Sequence, residues 1–190
     1  MITIVGGVYR ERCMRPAWDE IYGSAGRAAT AIARFGGEAV LHASLDRETQ
    51  DVIEARAAFE KFQLKAVPAD AGVTFEYIHG LSTPDIRKSS QATQELSVAA
   101  GKVLRFGMVD GTAVVDADYA VFDPQNADGP ESFKANGSVA KHLALVLNLY
   151  EARLLLPDSG DLPADKLAAA LAAHEGAEVV VIKMGPLQTV

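Results

Sequence analysis

The run Leu143-Ala144-Leu145-Val146-Leu147 is continuously apolar, stops at Asn148, and is followed by Glu151 three residues later. It has the length of a strand, and a strand that is apolar at every position belongs in a sheet covered on both faces. Asn148 then marks the strand's carboxyl end and Glu151 the first turn of a helix, at the end where open α/β sheets hold their ligands. Two readings fit this pair. An amide and a carboxylate one helical turn apart suit hydrated Mg²⁺, which keeps several waters and needs few protein ligands. The same spacing also fits a turn followed by a solvated glutamate favoured by the helix dipole.

The rest of the chain repeats the alternation. Ile2 to Val5 reads as a buried strand ending at Gly6-Gly7, and Ser24 to Phe35 as a helix with Ala25, Ala28, Ala29 and Ile32 on one face. Ala39 to Ala43 is a second strand, and Val52, Ala55, Phe59 and Phe62 mark the stripe of a second helix. Val73 to His79, a turn at Gly80 to Pro84 and a short continuation predict a hairpin over 73–88 at the sheet's edge. Lys88 to Gly111 is polar, mixed and weakly periodic. Tyr119 to Phe122, Leu143 to Leu147 and Glu178 to Lys183 read as further strands. Leu162, Leu167 and Leu171 form a helix face, with Asp161 as N-cap and Gly176 past its end. The expectation is a single α/β domain over 1–190, a doubly wound, mostly parallel sheet with helices on both faces.

Composition narrows the function. A chain of 190 residues, 49% hydrophobic, buries one sizeable core. A net charge of -7 argues against a nucleic-acid partner, which requires a basic face. No apolar run approaches a membrane span, and a lone cysteine, Cys13, points to a reducing, cytoplasmic setting. The four histidines are scattered, so metal ligation by protein side chains alone is not signalled.

Other positions carry paired readings. Gly23-Ser24-Ala25-Gly26 opens a helix with small residues, which either admit an anion to the helix N-terminus or let helix and sheet pack closely. Glu11 is either an acceptor for polyol hydroxyls or a surface charge among Arg10, Arg12 and Arg15. Lys183 and Gly185 either meet a phosphate or nucleotide, or simply end a strand before Pro186. Asn136-Gly137-Ser138 reads as a turn. No G-x-G-x-x-G or P-loop sequence occurs.

In order along the chain, Gly6-Gly7, Ala33-Arg34-Phe35-Gly36, Val121-Phe122-Asp123-Pro124-Gln125-Asn126, Asn148-Leu149-Tyr150-Glu151 and Val181-Ile182-Lys183-Met184-Gly185 resemble the ribokinase-like (PfkB) carbohydrate and nucleoside kinases. The resemblance implies a doubly wound domain with a small β lid, here reduced. It also implies transfer of the γ-phosphoryl of ATP, with Mg²⁺, to a hydroxymethyl group of a sugar or nucleoside. Asn148 and Glu151 match the family's Asn-x-x-Glu, with Glu151 reaching the metal through water. Lys183 and Gly185 match the strand end along the nucleotide. Glu11, Gly23 and Arg27 fall on the acceptor side, with Glu11 in place of an aspartate and Arg27 in place of an asparagine.

The interval from Glu11 to Gly23 is short for the lid's first hairpin, and Gln188 stands where a second glycine is usual. The family's Gly-Ala-Gly-Asp segment does not occur, so the catalytic base is expected beyond Val190 and the domain is expected to be incomplete at its C-terminal side. The alternative is a non-catalytic sugar-binding relative. An incomplete fold would leave apolar sheet uncovered, which predicts a homodimer.

Overall fold

The computed structural model describes residues 1–88, 95–126 and 128–185. Ile4 and Val5, in the first strand, are both fully buried and point to opposite faces, so the sheet that contains them has a core on each side. That sheet has seven parallel strands: β1 (Ile2–Val5), β4 (Ala39–Leu45), β5 (Gln63–Pro68), β8 (Leu96–Phe106), β9 (Ala113–Asp123), β10 (Val139–Asn148) and β11 (Val179–Lys183). Their spatial order is β11-β10-β9-β8-β1-β4-β5. Helices α1 (Gly23–Arg34) and α2 (Arg47–Glu60) cover the Ile4 face with Leu41, Ala43 and Ile53. Helices α3 (Leu149–Leu155) and α4 (Ala164–Glu175) cover the Val5 face with Leu145, Leu147, Leu167 and Leu171. The doubly wound α/β expectation holds.

A second, four-stranded sheet forms a lid with order β3-β2-β6-β7. Its strands are β2 (Arg10–Arg15), β3 (Ala17–Ile21), β6 (Thr74–His79) and β7 (Asp85–Arg87). The interval before Gly23, expected to be too short for a hairpin, holds one: β2 and β3 turn at Pro16 after a cis Arg15–Pro16 bond. The 73–88 hairpin joins this lid by parallel pairing of β6 with β2, rather than the edge of the main sheet. Its outer face is tied by ion pairs from Arg10 and Arg12 to Asp19 and from Arg87 to Glu76.

Several expectations shift. The segment that looked weakly periodic contains β8, paired between β1 and β9 near the centre of the sheet; residues 89–94 lie outside the described residues. The ladder is interrupted at one row, Gly101, Asp118 and Lys141, and burial changes parity there. Leu96 and Val98 are buried before the break and Val103 and Arg105 after it, so no single alternation runs through the segment. Helix α2 buries Thr49, Ile53 and Ala57, whereas Val52 and Phe59 of the anticipated stripe face water. Asp46 caps that helix through the Thr49 N–H at 2.8 Å. Helix α4 begins after Pro163, so Asp161 is not its cap and Leu162 is not on its buried face, although Gly176 ends it in the left-handed region.

Arg105 is a buried cation with no carboxylate partner among the described residues. Its guanidinium lies 4.4 Å from the Phe122 ring centroid and donates to the Phe133 carbonyl and to Ser138 Oγ. The Asn136-Gly137-Ser138 turn therefore has a structural task, since Asn136 and Ser138 both face this charge. Burial pushes the guanidinium down to about 10, which leaves it charged at neutral pH.

The helices leave part of one face bare. Leu104, Val121, Ala144 and Val179 share a row on the Ile4 side. Beyond β8 that face exposes Tyr119 (54%), Val121 (37%), Val179 (51%) and Val181 (47%). Among the described residues, β11 is an edge strand bonded only to β10.

The α2 assignment is tested by stability. Ile53→Ala should cost about 2–5 kcal/mol by opening a cavity in the core. Phe59→Ala should stay within about 0.5 kcal/mol, both read from urea unfolding midpoints.

Candidate active site

The strands β1, β8, β9 and β10 all end at the same edge of the sheet, and the lid stands over that edge. Between them lies a pocket of about 450 Å³. The sheet side contributes Gly7, Gly107, Gln125 and Asn126, and the helix starts contribute Gly23, Ser24, Arg27 and Glu151. The lid and its hinge contribute Tyr9, Glu11, Phe75, Tyr77 and Ile86. Of the residues singled out in the sequence, Glu11, Gly23, Arg27 and Glu151 meet in this one cavity.

Local chemistry explains each placement. Gly23 has φ 59, in the left-handed region, and a Cβ there would strike the Gly7 carbonyl oxygen. The start of α1 is thus pressed against the end of β1, and the Ala25 N–H donates to that same Gly7 oxygen at 3.3 Å. The small residues serve close packing, and part of the helix N-terminus is already occupied. Gln125, just past β9, donates to Ser24 Oγ and ties the sheet end to α1.

Asn148 and Glu151 form a capping box at α3. Asn148 Oδ1 accepts from the Glu151 N–H at 2.9 Å, and Glu151 Oε2 accepts from the Asn148 N–H at 2.8 Å. The capping reading is therefore present in the structure, and Glu151 nevertheless lines the pocket. One carboxylate with a free oxygen suits a metal that keeps most of its water. The described residues contain no cluster of three or more His, Cys, Asp or Glu side chains that would hold a bare ion.

Lys183 and Gly185 stand apart from the pocket lining. Lys183 Nζ donates to Asp123 Oδ2 at 2.8 Å, which bridges the ends of β11 and β9 across β10. Gly185 adopts φ 66 just after the strand. Gln188 lies outside the described residues.

Glu11 sits on β2, facing inward beside Phe75 of β6. Arg27 Nη1 and Nη2 donate to its two oxygens at 2.6 and 2.7 Å. This hydrogen-bonded pairing holds the Arg27 guanidinium above its ordinary range. Phe75 lies 5.2 Å from Tyr9 and 6.5 Å from Tyr77, centroid to centroid, so the lid's inner face is an aromatic wall. Tyr9, Phe75, Tyr77, Gln125 and Asn126 were not singled out from the sequence as site residues. The available signal for Gln125 and Asn126 was their position just past a strand's carboxyl end; the aromatic wall needs the missed β2–β6 pairing.

At the hinge, Tyr9 Oη accepts from the Val109 N–H at 2.8 Å and donates to Asp110 Oδ1 at 3.3 Å. Burial, then the Asp110 charge, pushes the Tyr9 phenol well above its ordinary range. Burial also raises the Asp110 carboxyl.

No protein-family model and no curated protein sequence matches the chain. Its structure is similar to that of a pyrophosphate-dependent kinase in the ribokinase family complexed with a pyrophosphate analog and myo-inositol. That match has TM-score 0.63 at 10% identity and covers 97% of this chain and 73% of that one. It is also similar to fructokinase from Vibrio cholerae O395 in its fructose-, ADP- and calcium-bound form, with TM-score 0.64 at 14% identity, covering 97% and 70%. Phosphofructokinase-2 from Escherichia coli in complex with potassium gives TM-score 0.63 at 15% identity, covering 98% and 72%. The chain has the ribokinase-like fold.

The hinge carboxyl makes a pH prediction. A carboxyl raised above the ordinary aspartate value near 4 favours the folded state below that value and loses this contribution as pH rises through its folded pKa. Asp110→Asn keeps an acceptor for Tyr9 and does not titrate. Its urea midpoint relative to the parent should therefore be higher at pH 7 than at pH 4.

Proposed function

We propose that the chain works as a sugar or nucleoside kinase of the PfkB type, using ATP and Mg²⁺ to phosphorylate a hydroxymethyl group. The observation that supports this best is the shared pocket. The acceptor-side residues Glu11, Gly23 and Arg27 and the donor-side residue Glu151 line one cavity between lid and sheet edge. Asn148 orients Glu151 through the capping box, and Glu151 would hold Mg²⁺ through water. Lys183 and Gly185 would lie along the nucleotide, with Asp123 fixing the ammonium. Bound Mg²⁺ would neutralise charge on the transferring phosphoryl group, whose chemistry depends on positioning and electrostatics. We place this activity in the cytoplasm, with a small-molecule acceptor and no nucleic-acid or membrane partner. Among the described residues, no helix is long and apolar enough to cross a membrane.

A second reading, binding without turnover, is favoured by a specific observation. Both carboxylates that line the pocket are engaged, Glu11 by Arg27 and Glu151 by the Asn148 N–H. Each already serves a structural partner, and the described lining holds no third carboxylate to act as the base for an acceptor hydroxyl.

We also propose that the bare face beside β11 is covered by a second copy of the chain. Antiparallel pairing of two β11 edges about a two-fold axis would satisfy their free backbone groups and bring Val179 and Val181 of each copy together.

Glu151→Gln separates the metal role from the cap. Glutamine at that position still accepts the Asn148 N–H, so the melting temperature should stay nearly constant. Mg·ATP affinity by calorimetry should fall about tenfold or more, equivalent to roughly 1.4 kcal/mol. Unchanged affinity would remove Glu151 from the nucleotide site. Val181→Lys should shift the light-scattering mass from dimer to monomer; a parent that is already monomeric refutes the β11 pairing.

A further inference from the structure

The pocket's recognition charges are matched to one another. Arg27 presents both terminal nitrogens of its fork to Glu11, with paired bonds of 2.6 and 2.7 Å. That fork is the feature by which arginine grips a phosphate or carboxylate, and here it is occupied. Each Glu11 oxygen keeps a further acceptor site, because a carboxylate has about four lone-pair positions. The third charged side chain on the lining is Glu151, a carboxylate. With Glu11 and Arg27 cancelling, the described residues of the lining carry a net negative charge and no uncompensated cation. An anionic acceptor would therefore have to break the Arg27 pair or bear repulsion in a partly desolvated cavity.

The lid face beside these acceptor sites is aromatic. Phase along the lid strands places Glu11 beside Phe75, and Cys13 beside Tyr77, on the same face. The Phe75 and Tyr77 rings are nearly parallel, 17° apart. This is a surface for the C–H face of a ring whose hydroxyls project at its rim.

We propose that the pocket selects an uncharged polyol ring, with Glu11 accepting hydrogen bonds from its hydroxyls. In this assignment Arg27 is a positioning residue that sets the Glu11 carboxylate and leaves no free fork for a phosphate. The inference rests on the kinase reading for which side of the pocket takes the acceptor, and it does not depend on turnover.

Binding alone tests it. Trp18 is the single tryptophan of the chain, on β3 of the lid, 6.0 Å from Tyr77, so its fluorescence reports occupancy of the lid face. Fructose, ribose and myo-inositol are titrated against fructose 6-phosphate, ribose 5-phosphate and myo-inositol 1-phosphate, with calorimetry as the second readout. At least one uncharged member should bind tenfold or more tighter than its phosphate ester. Arg27→Met should weaken that member fivefold or more and shrink its advantage over the ester, and Arg27→Lys should restore part of the loss. The Glu11 side chain is only 12% exposed, so Arg27→Met should lower the urea midpoint; binding is compared where both proteins are folded, and Arg27→Lys should keep the parent's midpoint.

Tighter binding of any ester than its parent polyol, equal binding of each pair, or no binding by any member overturns the assignment. So does an Arg27→Met protein that is folded and discriminates like the parent. Mg·ATP is titrated in the same samples. Its failure to bind counts against the kinase reading, and polyol selection that persists in that case leaves this inference standing as a property of a binding protein.

Discussion

Ile4 and Val5 are neighbours in sequence, both excluded from water, and they belong to different cores. A strand buried on both sides needs a covering layer on each, and parallel strands need crossovers long enough to supply those layers. The helices α1 and α2 answer one requirement, α3 and α4 the other. The same constraint aligns the strand ends. Because the strands are parallel, Gly6-Gly7, Gly107, Gln125 and Asn148 arrive at one edge, and the only way to enclose that edge is with material from outside the sheet. The lid does this, carried on the two segments 10–21 and 74–87.

Polar groups at that edge are joined across elements rather than left to solvent. Gln125 reaches α1, Tyr9 reaches the loop after β8, Lys183 reaches Asp123, and Asn148 closes a box with Glu151. Buried polar groups are costly unless paired, so these bonds determine which side chains remain available to a ligand. Asp123 is an exception, its Oδ1 buried without a partner among the described residues while Oδ2 takes Lys183, and Ser44 Oγ near the end of β4 is another. Arg105 is paired in part in the core, its Nη1 bonded to a segment 28 to 33 residues away and its guanidinium beside two aromatic rings, while Nε has no partner among the described residues.

The parts of the fold that were legible in the sequence were those whose signal is local. An apolar run ending at glycines located β1, runs ending in a polar residue located β10 and β11, and Gly176 marked the end of α4, where the backbone turns into the left-handed region. The parts that were hidden depend on contacts between distant segments. In β8 the burial parity changes at Gly101, where the ladders of three adjacent strands are interrupted at one row with the register kept on either side, a property of the sheet and not of the strand. The stripe on α2 was misphased because Phe59 is apolar but faces solvent, and the helix is oriented by Ile53 and Ala57 against β4 and β5. The β2–β3 hairpin is rich in charge, Arg10 to Arg15 and Asp19-Glu20, and is stabilised by cross-strand ion pairs that no apolar alternation announces.

The candidate site divides in the same way. Sequence by itself determined that Asn148 and Glu151 sit at a strand's carboxyl end, because strand length, helix start and their three-residue spacing are properties of contiguous chain. It also determined that Gly23 opens a helix with small residues, and left to the structure whether they admit an anion or allow close packing against β1. Tertiary structure alone decided that Glu11 and Arg27 neutralise each other, that Lys183 is held by Asp123, and that Phe75 and Tyr77 wall the pocket. Each of those facts joins residues 16 to 64 positions apart in the chain, and a carboxylate's chemistry depends on the group that faces it rather than on the groups that precede it.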